Sequence, residues 1–267
     1  MKKYRLGVIG FGHMSSAIIR GALANQVLST ANTAVCDTSP ARIAYADELK
    51  LDHFSDPAEL CRECEYVLFA VKPQDMPVML ESLKNVQIEN LLSIVTGWSL
   101  GDIRKYIPGD SMIRIMPNTP MQVSHGAAFW AALPGTPKSA GRFVEELLSP
   151  MGLVSETEEA FINLSCTVHG STPAYFYYLV SVLIKDAVRH GFDEKTVRDF
   201  ITETMIGSGE LLKANPDTAV EEFIDEVCSP GGATIEAINI FRQRDIDAII
   251  TEANDHCLDR AEELGKH

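Results

Sequence analysis

Short apolar runs alternate with amphipathic stretches over the first part of the chain, from Tyr4 to Glu156. Six of these runs predict strands, at Leu6–Ile9, Thr33–Cys36, Tyr66–Val71, Leu91–Val95, Met112–Met116 and Ala127–Ala131. Strands and helices in alternation indicate right-handed crossover connections between neighbouring strands. The pattern therefore predicts an α/β domain built on a mostly parallel sheet.

The pattern changes near Ala160, where the strand signals end and helical periodicity takes over. Breaks between helices are predicted at His190-Gly191, at Asn215-Pro216 and at Ser229–Gly232. No low-complexity linker or internal repeat is present. We therefore predict two domains, an α/β domain at residues 1–159 and an all-helical domain at residues 160–267.

The predicted helix Pro173–Arg189 is apolar on nearly every face. Its longest apolar run, Ala174–Ile184, has 11 residues, whereas a bilayer needs about 20, so we expect no membrane span. A helix of this kind needs cover all round. We expect it to form the interface of a homodimer, and the alternative is a central helix covered by its own neighbours.

The net charge and the N-terminal residues indicate which partners and which cellular location to expect. The 267 residues carry 23 Lys and Arg against 37 Asp and Glu, a net charge of −14 that repels phosphate backbones. Nucleic acid is therefore not expected as a partner. Met1–Arg5 resembles the start of a signal sequence, but no continuous apolar region with a cleavage site follows. We expect a soluble, cytoplasmic protein.

Six cysteines are scattered along the chain, and only Cys61 and Cys64 form a CxxC pair. A zinc site would need a second ligand pair at matching spacing, and no histidine supplies one. A redox role for the CxxC pair stays open. However, Glu63 and Glu65 would raise a thiol pKa where an active thiolate needs a lowered one. We therefore expect structural thiols and no metal.

A glycine-rich turn follows the first predicted strand and precedes an amphipathic stretch. Gly10 permits a tight turn, and Gly12 lets a pyrophosphate approach the backbone at a helix N-terminus. Ser15 stands at the third position of the motif, where Gly or Ala is usual. This context predicts a Rossmann-type dinucleotide-binding domain, and a merely structural turn is the alternative.

The residues after the second predicted strand give conflicting signals about the cofactor. Asp37 lies about 25 residues past Gly12, where the adenosine ribose is normally bound. Its carboxylate would accept hydrogen bonds from a ribose 2′-OH and repel a 2′-phosphate, whereas Thr38, Ser39 and Arg42 could hold that phosphate. The same segment could instead cap the next helix. We expect either nicotinamide cofactor to be accepted, with Asp37 weakening NADPH relative to NADH.

Two further segments, Phe69–Pro73 and Arg114–Pro120, end predicted strands. Ligands in an open parallel sheet lie beyond the carboxyl ends of the strands. Lys72, Asn118 and Thr119 are therefore placed to contact a nicotinamide or a substrate. A turn-forming role is the alternative for each of them.

The segment Cys228–Ile238 predicts a helix start that could bind an anion. We expect Ser229 at the N-cap and Pro230 at the first helical position, with Gly231 and Gly232 leaving backbone N–H groups uncovered. Such a pocket suits a carboxylate. Thr234 would lie one turn into the helix, where its hydroxyl could reach a ring nitrogen. A well-capped helix without a ligand is the alternative.

These segments, in this order and spacing, resemble the pyrroline-5-carboxylate reductase family over essentially the whole chain. The resemblance rests on Val8–Met14, Ala70–Pro73, Arg114–Pro120, Gly170–Tyr175 and Ser229–Thr234. It implies a Rossmann domain, a helical dimerisation domain, frequent assembly into a decamer, and reduction of 1-pyrroline-5-carboxylate to L-proline by NADPH or NADH. This reaction is the last step of proline biosynthesis.

The resemblance also implies roles for individual residues. The residues expected to contact the dinucleotide are Gly10, Gly12, His13, Met14, Ser39, Ala70, Val71, Lys72 and Pro73. Those expected to hold the substrate are Ser229, Gly231, Gly232 and Thr234, with Thr234 as the catalytic residue that orients the imine nitrogen. Catalysis then needs positioning more than acid-base groups, because a protonated cyclic imine is already an electrophile.

Several residues depart from the family pattern and mark a divergent member. His13 stands where many members have Asn, and His169 and Thr172 replace small residues. Acid is uncommon at Asp37, and Ser181, Lys185 and Ile224 stand where members commonly have Glu, Asp and a basic residue. Two alternatives stay open. One is a β-hydroxyacid dehydrogenase, although Lys185 is followed one turn later by Arg189 and not Asn; the other is a dinucleotide-binding regulatory protein without turnover.

Overall fold

The structure is a computed structural model that describes residues 2–266. Met1 and His267, the outer ends of the two predicted domains, lie outside the described residues. The strands are β1 Tyr4–Ile9, β2 Thr33–Cys36, β3 Asp52–Phe54, β4 Cys64–Phe69, β5 Asn90–Ser93, β6 Met112–Pro117, β7 Gly126–Ala132 and β8 Gly152–Glu156. The helices are α1 His13–Ala24, α2 Pro40–Glu48, α3 Pro57–Glu63, α4 Met76–Ser82, α5 Leu100–Arg104, α6 Lys138–Leu148, α7 Ala160–Ser165, α8 Thr172–Arg189, α9 Glu194–Ala214, α10 Val220–Val227, α11 Ala233–Gln243 and α12 Ile246–Glu263.

The strands form one sheet in the order β3-β2-β1-β4-β5-β6-β7-β8. All neighbours run parallel except β6 and β7, which are antiparallel. The prediction of a mostly parallel sheet is confirmed. Its strand order changes direction between β1 and β4, which is the switch point at which such sheets bind ligands.

Two strands, β3 and β8, were not among the six predicted. Both lie at the edges of the sheet, and most of their residues are exposed or half-buried. A strand with little buried surface needs no apolar run, so the hydrophobic pattern carries no sign of it. The strand predicted at Tyr66–Val71 ends earlier, at Phe69, because Ala70 and Val71 turn across the glycine loop.

The core covers both faces of the sheet, as successive residues of each strand point to opposite sides. On β1, Leu6 and Val8 pack with α1 and α6, whereas Ile9 packs with α3, α4 and α5 on the other face. These residues are between 0% and 4% exposed. The strands and helices that end at the carboxyl edge of the sheet are therefore firmly held from both sides.

The described residues form two compact units. One contains the residues up to Pro173 together with those from Cys257 onward, and the other is Ala174–His256. This division differs from the one predicted at residues 159–160, because α7 packs on the sheet through Ile162 and residues 261–265 lie against Gly97. The boundary between folding domains stays a prediction.

The unit Ala174–His256 is entirely helical, and the helix breaks predicted along it are confirmed at the ends of α8, α9 and α10. Tyr175 donates a hydrogen bond to Asn254, which ties α8 to α12. Most apolar side chains of α8 are uncovered within the chain: Phe176, Tyr177, Tyr178, Leu179, Val182 and Leu183 are 46% to 71% exposed. Neighbouring helices of the same chain therefore leave this apolar face open.

Candidate active site

The glycine turn between β1 and α1 leaves room for a ligand at Gly12. Gly10 has a φ of +93°, and a Cβ there would lie 2.7 Å from backbone atoms of Ala70 and Val71, so only glycine fits. A Cβ on Gly12, the N-cap of α1, would meet nothing within 4 Å. Ser15 donates from Oγ to the carbonyl of Gly10 at 2.7 Å and is buried. The hydroxyl thus stabilises the turn at the motif's third position.

Asp37 braces the glycine turn from the end of β2. The Phe11 N–H donates to Oδ2 of Asp37 at 2.6 Å, and the Ser39 N–H donates to Oδ1 at 2.8 Å. Hydrogen bonds to an ionised carboxylate are stronger than those between neutral groups. Ser39 is the N-cap of α2 and Pro40 its first residue, so this segment does begin the helix as the alternative supposed, although no side chain caps the free N–H groups of the helix.

A basic pair lies beside this carboxylate. Arg42 Nη2 donates to Nε2 of His13 at 3.2 Å, which places the proton of a neutral His13 on Nδ1. No carboxylate among residues 2–266 forms an ion pair with Arg42. An unpaired guanidinium and the Asp37 carboxylate therefore both border the predicted ribose site, and the conflict seen in the sequence persists in the structure.

These residues lie around one cleft with a volume of about 1080 Å³. It opens at the carboxyl ends of β1, β2, β4, β5 and β6, across the switch point of the sheet. Ten of the predicted cofactor residues line it: Gly10, Gly12, His13, Met14, Asp37, Ser39, Ala70, Val71, Lys72 and Pro73. Its size, the open space at Gly12 and the N-terminus of α1 fit a dinucleotide.

Asn118, the eleventh predicted cofactor residue, does not line this cleft. Its Nδ2 donates to the carbonyl of His169 at 3.1 Å, and its Oδ1 accepts from the Ala127 N–H at 2.8 Å. The side chain is 7% exposed. The geometry therefore favours the turn-forming alternative, and a cofactor contact by Asn118 stays a prediction without support here.

Sequence reasoning missed part of the cleft wall. Ile94, Val95 and Thr96 follow β5, and Met116 and Pro117 end β6. Both segments lie at the carboxyl ends of predicted strands of a parallel sheet, which was a usable signal. What the sequence lacked was the strand order that brings these ends together.

The loop before α11 forms a turn, and α11 begins later than predicted. The Gly232 N–H donates to the carbonyl of Ser229 at 2.9 Å, and Gly231 has a φ of +72°, the pattern of a type II turn with Pro230 at its second position. Gly232 is the N-cap, so the prediction of Ser229 at the N-cap and Pro230 as the first helical residue was wrong. Pro230 fits the turn because its φ is already restricted.

The side chains of this loop are arranged around the start of α11. A Cβ on Gly232 would lie 2.5 Å from Oγ of Ser229, so the glycine lets that hydroxyl fold over the helix start. Thr234 is the second residue of α11 and is exposed. The first N–H groups of a helix have no acceptor within it, so they can bind a carboxylate.

The CxxC pair is unsuited to redox chemistry. Cys61 and Cys64 are both fully buried. Burial raises the pKa of each thiol to about 12, so neither forms a thiolate at neutral pH.

Across residues 2–266, no group of three His, Cys, Asp or Glu side chains is arranged to hold a metal ion. None of the helices described is both long enough and apolar enough to span a membrane.

Comparison with known proteins gives two family matches. Residues 159–264 match the model described as pyrroline-5-carboxylate reductase dimerisation. Residues 5–97 match the model described as NADP oxidoreductase coenzyme F420-dependent. The dimerisation match begins near the point where the hydrophobic pattern changes from strands to helices.

Individual proteins are similar over nearly the whole chain. The pyrroline-5-carboxylate reductase of Haemophilus influenzae is 30% identical over 99% of this chain and 98% of its own, and that of Synechocystis sp. is 31% identical over 98% of each. A crystal structure of Plasmodium falciparum pyrroline carboxylate reductase with NADP bound has the same fold, with a TM-score of 0.90 over 100% of both chains at 24% identity. The chain therefore belongs to the pyrroline-5-carboxylate reductase family.

Proposed function

We propose that this protein reduces 1-pyrroline-5-carboxylate to L-proline with NADPH or NADH. The observation that carries the proposal is the similarity to reductases of this name over 99% of the chain, which spans both the cleft and the Ser229–Thr234 loop. The β-hydroxyacid dehydrogenase and the regulatory alternative lack comparable support.

The cleft supports the cofactor half of this proposal. The open face of Gly12 and the N-terminus of α1 would hold the pyrophosphate, and His13, Met14, Asp37 and Ser39 would surround the adenosine ribose. Ala70–Pro73 would continue the wall toward the reacting ring. A bound reduced nicotinamide supplies the hydride.

The start of α11 supports the substrate half. We propose that its free N–H groups, with Ser229, Gly231 and Gly232, bind the substrate carboxylate. The N–H of the protonated imine would donate to the hydroxyl of Thr234, which orients the ring for attack at C5. The hydride then saturates the C=N bond, and the nitrogen keeps its proton as the amine of proline. The protein contributes alignment and no proton transfer.

The uncovered face of α8 supports a homodimer. Six large apolar side chains of this helix are 46% to 71% exposed in the single chain. Patches of this kind in folded proteins mark interaction sites. The matched dimerisation model covers the same helix. Further assembly of dimers into a decamer stays an implication of the resemblance, and cytoplasmic location and the absence of nucleic-acid partners stay predictions.

A direct assay tests the function. Purified protein is mixed with synthetic 1-pyrroline-5-carboxylate and NADPH or NADH, and loss of reduced nicotinamide is followed by absorbance while proline is identified by mass spectrometry. We expect turnover to proline. Cofactor binding without turnover would support the regulatory alternative, and turnover of a β-hydroxyacid would support the dehydrogenase.

Light scattering tests the dimer. We expect a dimer at micromolar concentration, and Tyr178→Glu should yield monomers because it places a charge in the centre of the apolar face. Tyr106→Glu, at a tyrosine that packs against Trp98 in the α/β unit, provides a matched tyrosine-to-glutamate control for loss of folding. A folded wild-type monomer would contradict the proposal.

A further inference from the structure

His169 is a buried imidazole for which cofactor and substrate binding give no role. It lies in a π-helical turn, Cys166–Gly170, that joins α7 to α8, and its side chain is 8% exposed. Such turns occur frequently at functional sites. Its ring packs edge-on against Phe129, with the two centroids 5.5 Å apart.

The ring is held in one orientation by the end of β6. Nε2 of His169 lies 2.7 Å from the carbonyl oxygen of Met116. Because a carbonyl can only accept, Nε2 carries a proton and donates. Nδ1 is buried and has no hydrogen-bond partner in the described part of the chain.

The main chain of His169 also contacts Asn118, in the turn that follows β6. Its carbonyl accepts a hydrogen bond from Nδ2 of Asn118 at 3.1 Å. Met116 and Asn118 flank Pro117, so both neighbours of this proline are bonded to His169, one through the ring and one through the main chain. The ring thereby fixes the Met116–Pro117 peptide group, and the main chain of His169 holds the side chain of Asn118.

Met116 and Pro117 form part of the wall of the cofactor cleft. Both residues lie at the end of β6. A dinucleotide spans the switch point between β1 and β4 with one nucleotide on each side. Asp37, after β2, marks the adenosine side. The end of β6 therefore borders the side of the reacting nicotinamide.

Stability alone does not account for an imidazole at this position. Burying Nδ1 without a partner costs free energy that an apolar side chain of similar size would not incur. The feature that an apolar side chain would lack is the hydrogen bond to Met116.

We propose that His169 is a positioning residue for hydride transfer: its Nε2–H fixes the Met116 carbonyl and with it the Met116–Pro117 wall on the nicotinamide side of the cleft. This inference rests on the proposed reductase function. It predicts that loss of the Nε2–H lowers the rate of the chemical step and leaves affinity for the adenosine part of the cofactor unchanged.

Two variants of equal side-chain length isolate the hydrogen bond. His169→Gln keeps an N–H that can reach the Met116 carbonyl, and His169→Met fills the space without a donor. For His169→Met we expect kcat to fall about ten- to a hundredfold, since misplacement of a reacting group by about 1 Å can cost that much. His169→Gln should stay within about threefold of wild type. The Kd for NADP⁺, measured by calorimetry, should change less than about twofold in both.

His125→Met provides the control, because His125 is exposed and does not line the cleft. Its kcat should equal that of wild type. Equal kcat values for His169→Met and His169→Gln would overturn the proposal, whether both are low or both are normal.

A spectroscopic measurement tests the proposal without any variant. Nitrogen-15 NMR of the wild-type imidazoles should show a proton on Nε2 of His169 that exchanges slowly with water. An unprotonated Nε2, or fast exchange, would refute the proposal even if His169→Met does not fold. Failure of the reductase function is distinct from both results: the wild type would then not oxidise NADPH with 1-pyrroline-5-carboxylate, while the NMR result would stand.

Discussion

Replacing Asp37 with alanine should change both the stability of the protein and its choice of cofactor. The carboxylate accepts two backbone hydrogen bonds, from Phe11 at 2.6 Å and from Ser39 at 2.8 Å, and it lines the cleft. Hydrogen bonds to a charged group contribute about 1.5–3 kcal/mol each. Because Asp37 is half-buried and water can replace part of both bonds, we expect a total loss of about 2 kcal/mol. A decrease in Tm of about 4–8 °C corresponds to this loss.

The change in cofactor choice follows from the charge. At an assumed separation of about 6 Å, a carboxylate and a phosphate charge repel by about 0.7 to 2.8 kcal/mol, for effective dielectric constants of about 80 to 20. The two N–H donors offset part of the carboxylate charge. We therefore expect a net repulsion of about 1.4 kcal/mol between Asp37 and the 2′-phosphate. Its removal in Asp37→Ala should raise the ratio of kcat/KM for NADPH to that for NADH about tenfold.

Asp56 offers a matched control. It accepts one backbone hydrogen bond, from Ala58 at 2.9 Å, as the N-cap of α3, and it does not line the cleft. Asp56→Ala should lose about 1 kcal/mol of stability and leave the cofactor ratio unchanged. Initial rates with each cofactor and thermal unfolding give both quantities. An Asp37→Ala ratio within twofold of wild type, in a folded protein, would show that the carboxylate acts only as a brace of the glycine turn.

Three further substitutions or conditions give measurable outcomes. Gly12→Val should fold, because a Cβ at Gly12 meets nothing within 4 Å, but it should weaken NADP⁺ binding at least about tenfold by occupying the pyrophosphate space. Gly207→Val in α9, where a Cβ also meets nothing within 4 Å and which does not line the cleft, should leave binding unchanged; calorimetry decides. Thr234→Val should lower kcat about ten- to a hundredfold, as expected for one lost transition-state hydrogen bond, and leave the Kd for NADP⁺ unchanged; unaltered turnover would remove Thr234 from the site. Burial raises the thiol pKa of Cys61 and Cys64 from 9.0 to about 12, so the thiols of the unfolded state lose their protons at lower pH than those of the folded state. The free energy of unfolding should therefore decrease as pH rises above about 9. Denaturant titrations at several pH values should show a smaller decrease per pH unit for Cys61→Ala than for the wild type.

The fold and the main features of the cleft could be predicted from the sequence because their determinants are local and periodic. A strand, a Gly10–Gly12 turn and an amphipathic helix occupy one short segment, and glycine at Gly10 is required by a backbone conformation that other residues rarely adopt. The change from strand to helix periodicity near Ala160 is likewise a property of neighbouring residues. The uncovered α8 could be anticipated because its apolar residues occupy every face of one helix.

Tertiary structure alone decided which of these residues meet. Asp37 and Phe11 are 26 positions apart, and Asn118 and His169 are 51 apart, so their hydrogen bonds depend on the order of strands in the sheet and not on any local pattern. For that reason the sequence did not show that Asp37 binds the backbone of the glycine turn or that Asn118 lies outside the cleft. Nor did it show that His169 donates to the end of β6. The edge strands β3 and β8 escaped prediction for a related reason: a strand is defined by pairing with its neighbour, and little burial at an edge leaves no hydrophobic pattern in the sequence.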